Sequence, residues 1–167
     1  EIKNNCWKNA ETDWVLACDL DELLEINESQ LKKEEKLGTT IIKTQGYDMV
    51  AMSENLDLGE MKHGAREDGE GKSCLFNKKF IKDINYTPPG AHICNPVGTF
   101  VKSLKSYKLF NYCYINYNVT VERYKEYFER KRKSPDDMRM GWITHNETPE
   151  EIRQLYTEAR LKAVKVR

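Results

Sequence analysis

The run Asp13-Trp14-Val15-Leu16-Ala17-Cys18 is nearly continuous in apolar residues, and it stops on Asp19-Leu20-Asp21-Glu22. A short apolar run of this kind reads as a strand buried on both faces. Such a strand leaves its body in the core and delivers the next residues to the carboxyl edge of the sheet, where open α/β folds take their ligands. Here those residues are acidic. Two Asp at i and i+2 on an extended strand share one side. In the tight turn after a strand end, one can hold a hard divalent cation directly and the other can act through water or a ligand hydroxyl. Asp-x-Asp by itself arises by chance in any acidic protein, so the strand immediately before it gives the motif its weight.

The rest of the chain reads as alternating elements. Residues 3–11 look like the end of a helix anchored by Trp7. Leu23 to Lys36, acidic and then basic, reads as a turn and a surface helix that Gly38 stops. Thr39 to Thr44 is β-branched and strand-like. Gly46 reads as punctuation, and Tyr47 to Met52 as a further strand. Residues 53–72 carry Gly59, Gly64, Gly69 and Gly71 among mixed charges and read as a long loop, a candidate lid or binding loop. Lys72 to Phe80 and Asp83 to Tyr86 look like short strands, Thr87-Pro88-Pro89-Gly90 like a hard turn, and Tyr107 to Tyr114 like an aromatic strand. Glu122 to Lys133 reads as a helix with Tyr124, Tyr127 and Phe128 on one face, a core stripe rather than a ligand box. The last helix has its cap in Thr148, its first turn in Pro149 and Glu150-Glu151, and a buried stripe in Ile152, Leu155, Tyr156 and Ala159.

Composition narrows the function classes. The 167 residues make about one domain, 39% hydrophobic and 32% charged, which suits a soluble protein with a modest core. Lys plus Arg equals Asp plus Glu, 27 against 27, so bulk nucleic-acid binding has no support. The basic run Arg130-Lys131-Arg132-Lys133 reads as a solvated helix face. No stretch approaches the ~18–20 apolar residues of a membrane span, and no signal peptide is present. Cys6, Cys18, Cys74, Cys94 and Cys113 form no C-x-x-C pair and are odd in number, which points to reduced thiols in a cytoplasmic protein, several of them buried in strands. Structural zinc would want a shorter ligand spacing. The sequons at Asn27, Asn85, Asn118 and Asn146 carry no meaning in that compartment. Residue 1 is Glu, inside a helix-like stretch, so a truncated chain is expected, and the parent protein could associate with a membrane.

Asn4-Asn5-Cys6-Trp7-Lys8 followed by Asp13 to Leu24 resembles the central segment of a bacterial branch of the family 2 glycosyltransferases. The resemblance continues in order through Gly46-Tyr47-Asp48-Met49-Val50, Asn85-Tyr86, Pro89-Gly90-Ala91-His92, Asn95-Pro96-Val97-Gly98, Glu122-Arg123-Tyr124, Lys131-Arg132-Lys133-Ser134 and Gly141-Trp142. It covers most of the chain. It implies an α/β fold of partial GT-A (Rossmann-like) type, with a mixed sheet and C-terminal helices. Residues 1–167 would form a single partial domain, the metal and acceptor half, without the N-terminal donor-binding strands. It further implies a nucleoside-diphosphate sugar donor, a carbohydrate or other hydroxyl acceptor, a Mn²⁺ or Mg²⁺ cofactor and inversion at the anomeric carbon. Polysaccharide biosynthesis is the family-level setting.

The resemblance also assigns residues. Asp19 and Asp21 are the metal and donor ligands. Relatives carry a His-Tyr pair on the late strand, whereas this chain reads Leu109-Phe110-Asn111-Tyr112. Asn111 offers a neutral carbonyl oxygen as third ligand, weaker than imidazole for Mn²⁺. His92 is the substitute ligand or donor contact, with a turn-stabilising hydrogen bond as its plain alternative. His145 matches its region loosely, and His63 reads as exposed. Among Asp48, Glu54, Asp57 and Glu60, Asp48 is favoured as the base that takes the acceptor proton. Glu22 is expected to hydrogen-bond local groups, and Asp13 to start the strand. Two other readings stay open: a catalytically impaired sugar-nucleotide or carbohydrate-binding remnant, and a haloacid-dehalogenase-like phosphatase with Asp19 as nucleophile. The latter expects Thr or Val where this chain has Leu23, and a later Lys with an acidic pair.

Overall fold

The computed structural model describes residues 5–53, 57–69, 71–87, 93–133 and 148–167, with only the backbone for 85–87, 93–95 and 127–133. The elements in order are β1 (Trp14–Leu16), β2 (Glu22–Leu24), α1 (Glu28–Lys36), β3 (Ile41–Val50), a 3₁₀ turn (Leu58–Glu60), β4 (His63–Arg66) and β5 (Leu75–Asn77). Then come β6 (Ile81–Thr87), β7 (Ile93–Gly98), β8 (Lys102–Tyr114), α2 (Tyr117–Lys133), α3 (Pro149–Lys162) and β9 (Val164–Lys165). The chain divides into two compact units, Glu1–Gly46 with Glu67–Phe110, and Tyr47–Arg66 with Asn111–Arg167. The architecture is mixed α/β with C-terminal helices.

In the first unit β1 lies antiparallel to β5, Trp14 opposite Asn77 and Leu16 opposite Leu75, and β5 pairs antiparallel with β3 at Ile41 and Phe76. β8 runs parallel to β3. Thr40 N donates to Val101 O at 2.9 Å and Lys43 N to Ser103 Oγ at 2.8 Å, in the same order along both strands. The sheet is therefore mixed. Successive residues of a strand face opposite sides, and β3 uses both. Ile41 packs with Trp7, Val15, Phe76, Ile81 and Ile84, while Ile42 packs with Leu24, Cys74, Leu75, Tyr107 and Leu109. Strands β3 and β5 bury residues on both faces. β1 does not: Val15 is buried, but Leu16 is 50% exposed and only Trp14–Leu16 pair as strand.

Helix α1 is fixed at both ends. Asn27 and Gln30 form a reciprocal capping box, and Gly38 adopts φ 76, which ends the helix as its sequence position predicts. Strands β6 and β7 form a hairpin of their own, with an irregularity between Ile81 and Asp83. The Pro88-Pro89-Gly90 part of the expected turn lies outside the described residues.

In the second unit β4 pairs antiparallel with β3, Tyr47 opposite Arg66 and Met49 opposite Gly64, and β9 pairs in turn with β4. Helix α3 has the expected start: Thr148 and Glu151 complete a capping box with Pro149 in the first turn. Ile152, Tyr156 and Ala159 are buried, Tyr156 and Ala159 against Val50, with Tyr114 and Tyr117 packed around them. The side chains of Tyr127 and Phe128 lie outside the described residues.

Two sequence expectations are corrected. Gly46 does not break a strand, because β3 is continuous across it. Its φ is not left-handed, and a Cβ there would meet only the end of the flexible Glu67 side chain. Nor are residues 53–72 a structureless loop, since they hold the 3₁₀ turn and β4. Among the described residues no helix is long and apolar enough to cross a membrane.

Candidate functional site

The Asp-x-Asp motif sits in a β-turn rather than on extended strand. After Leu16 the chain holds to its neighbour once more, Ala17 N donating to Cys74 O at 2.7 Å. It then reverses. Glu22 N donates to Asp19 O at 3.1 Å, and Asp19 N donates to Glu22 Oε2 at 2.7 Å. Leu20, at the corner, is fully exposed. The same-side geometry of an extended i, i+2 pair therefore does not apply to Asp19 and Asp21, and the turn itself is what presents them.

A lysine that the motif did not announce completes the turn. Lys72 Nζ lies 2.6 and 2.7 Å from Glu22 Oε1 and Oε2, and 2.8 Å from Asp19 Oδ2. The Lys72 and Glu22 side chains are 5% and 6% exposed, against 40% for Asp19. Burial alone would lower the Lys72 pKa, but its hydrogen bonds to Asp19 and Glu22 and their charges outweigh that, and the ammonium is held above its ordinary value. The neighbouring thiols move the same way for a different reason. Burial first, and then the Glu22 carboxylate, push Cys18 up and push Cys74 up to about 12. Neither is an activated thiolate.

Backbone contacts put Lys72 there. Gly71 N donates to Thr44 O at 2.9 Å, while Thr44 Oγ1 and Cys74 N donate to Lys72 O at 2.7 and 3.0 Å. Thr44 is buried in β3, and a Cβ on Gly71 would collide with its backbone and hydroxyl. The glycine permits a close approach that brings the next residue against the turn.

Glu22 spends both oxygens on Lys72 and one of them also on the backbone. Asp19 and Asp21 are the other two carboxylates of the turn, and Asp19 Oδ2 also meets Lys72. Among the described residues no group of three or more His, Cys, Asp or Glu is arranged to hold a metal ion. Two hard carboxylates do not make an all-protein cage. They do suit Mg²⁺ or Mn²⁺ bound by one or two carboxylates, with the other positions taken by waters and phosphate oxygens. Asn111 belongs to the other compact unit, and His92 lies outside the described residues.

In the second unit Asp48 lies in β3, within the stretch Tyr47 to Met52 that the sequence reads as a strand. Its Oδ1 accepts from Asn111 Nδ2 at 3.2 Å and from Cys113 Sγ at 3.1 Å. Burial, then the Asp48 charge, hold the Cys113 thiol far above its ordinary value, so it stays protonated as a donor. Asp57 caps the 3₁₀ turn through Gly59 N at 2.7 Å, and Glu60 is exposed. His63 is half-buried in β4 opposite Lys165, not a loop residue. Asp13 pairs with Lys79 at 2.6 Å. Glu54 and His145 lie outside the described residues.

Sequence reasoning missed Lys72 because its partners are 50 and 53 residues away. The one local signal was the glycine before it. Compared with protein-family models, curated proteins and solved structures, the chain finds no match.

Proposed function

We propose that this chain is the metal and acceptor half of a nucleotide-sugar-dependent glycosyltransferase of GT-A type, working at a diphosphate held by the Asp19–Glu22 turn. One observation carries the reading: an Asp-x-Asp at the end of a sheet strand, folded into a tight turn that Glu22 closes onto Asp19. A bound Mn²⁺ or Mg²⁺ would act as a Lewis acid on the departing diphosphate. Asp19 and Asp21 would hold it. The donor is a nucleoside-diphosphate sugar and the acceptor a carbohydrate or other hydroxyl, with inversion of configuration.

The test is release of nucleoside diphosphate from a panel of sugar nucleotides by the parent protein, with Mn²⁺ or with chelator, in wild type and in Asp21→Ala. Metal-dependent release that the substitution abolishes supports the reading. An undiminished rate in Asp21→Ala removes Asp21 from the site. Sugar-nucleotide binding without turnover on any acceptor would mean a binding remnant.

The contact between Lys72 and Asp19 favours a second reading, because a haloacid-dehalogenase-like phosphatase also sets a lysine beside its nucleophilic Asp. That chemistry also expects an acidic pair, and Thr or Val at the position of Leu23. A phosphoryl group trapped on Asp19 would decide for it.

A further inference from the structure

Nothing in an Asp-x-Asp motif calls for a buried lysine, yet this turn is built around one. We infer that Lys72 is a positioning residue for the Asp19–Glu22 turn: it neutralises Glu22 and fixes Asp19 through Oδ2. The inference rests on the reading of the turn as a cation–diphosphate site.

Three observations carry it. The ammonium is 5% exposed and meets three carboxylate oxygens within 2.8 Å, so it is a fixed part of the interior and not a solvated surface charge. Its backbone is pinned to β3 through Thr44 and to the start of β5 through Cys74, so the side chain enters the turn from a rigid base. Glu22 ties the two halves together, because the oxygen that binds Lys72 also accepts the Asp19 N–H. Removing the ammonium would leave Glu22 as an uncompensated buried charge beside two further carboxylates. The turn would open to relieve it, and Asp19 would lose its fixed direction. Outer contacts of this kind typically govern metal affinity by about 10- to 100-fold.

The probe is Mn²⁺ followed by electron paramagnetic resonance on the full-length protein, alone and with UDP, GDP or ADP in turn. Wild type should bind Mn²⁺ more tightly with at least one of these nucleotides. Lys72→Met should weaken that nucleotide-assisted affinity by about 10-fold or more, and Lys72→Arg should restore most of it. Because Lys72→Met strands a buried carboxylate and can unfold the chain, the double variant Lys72→Met with Glu22→Gln is measured as well. It removes both charges of the buried pair, should fold by circular dichroism, and should still bind weakly because Asp19 is unpinned. If either folded variant binds Mn²⁺ and nucleotide as wild type does, while Asp21→Asn does not, the role of Lys72 is refuted and the site reading survives. If Asp21→Asn binds as wild type, or wild type itself shows no nucleotide-assisted Mn²⁺ binding, both fall.

Discussion

Asn111 Nδ2 donates a hydrogen bond to Asp48 Oδ1 at 3.2 Å, and Cys113 Sγ reaches the same oxygen at 3.1 Å. Residues two apart on a strand face one side, so β8 offers this pair of donors to a single carboxylate on β3. The amide that the sequence suggested as a metal ligand here serves as a donor to the suggested base. Asn111→Leu should therefore destabilise the protein by about 1–2 kcal/mol, the usual cost of a lost hydrogen bond to a half-buried charged group. Cys113→Ala should cost less, since a thiol is a weak donor. Urea unfolding of the two variants checks both the sign and the order.

Helix α1 carries a carboxylate into the core. Glu34, 3% exposed, accepts from Tyr107 Oη at 2.8 Å and from Thr39 Oγ1 at 2.9 Å. Burial first, and then this carboxylate, keep the Tyr107 hydroxyl protonated well above its ordinary range. Tyr107→Phe keeps the ring and removes one of two donors, so it should lower stability by about 1.5–3 kcal/mol. A loss below about 0.5 kcal/mol in thermal or urea unfolding would show that water replaces the hydroxyl.

What was legible in the sequence was local. The start of α3 needed only Thr148, Pro149 and Glu151, all within one turn, and the end of α1 needed only Gly38. Helix caps are written in adjacent residues, so a linear reading finds them. Gly46 and Gly64 misled it because glycine marks either a turn or a place where another group comes close, and the sequence does not say which. In β3 and β4 it is the second: Gly64 sits under Met49 and Tyr47, and Gly46 under Glu67. The carboxylates at the end of β1 were visible for the same local reason. Lys72, which decides how they are held, was not, because its place depends on Gly71 meeting Thr44 across the sheet.

Cysteine chemistry is set by burial. Cys6 is exposed, whereas Cys74 is buried with its pKa pushed up to about 12. Brief alkylation of the native protein at pH ~8, just below the ordinary thiol pKa, mapped by mass spectrometry, should label Cys6 and spare Cys74 and Cys113 until denaturant is added. The raised Cys74 value also sets a pH dependence. Above the ordinary thiol pKa near 9 the unfolded chain loses this proton while the folded chain keeps it up to about 12. Stability should then fall with rising pH across that window, by roughly 1 kcal/mol per pH unit for this group. Cys74→Ala should flatten that part of the curve, whatever it costs in packing at neutral pH.

Thr148 accepts from Glu151 N at 3.3 Å while Glu151 Oε2 accepts from Thr148 N at 2.7 Å. Thr148→Ala removes one half of the box and should cost about 1 kcal/mol. Thr148→Asp should keep most of the stability, because a carboxylate also caps and complements the helix dipole. Equal losses for Ala and Asp in thermal unfolding would mean that the threonine matters through its methyl packing instead.

The acidic turn makes a prediction that does not depend on what it binds. Its three carboxylates are placed in different surroundings, so the same chemical change should have three different costs. Glu22 is 6% exposed and bonded through both oxygens, to the Lys72 ammonium and to Asp19 N. Glu22→Ala leaves that ammonium buried with one half-exposed partner, a loss of about 3–5 kcal/mol when a buried pair is broken. Asp19 is 40% exposed and shares the ammonium with Glu22, so Asp19→Ala leaves the buried pair intact and should cost about 1 kcal/mol. Asp21, at the partly exposed corner of the turn, should change stability least. Urea titration of the three variants at neutral pH and moderate salt should therefore rank Glu22→Ala, then Asp19→Ala, then Asp21→Ala. If Asp21→Ala destabilised most, the turn would be held by its outer carboxylate, and Lys72 would be a bystander.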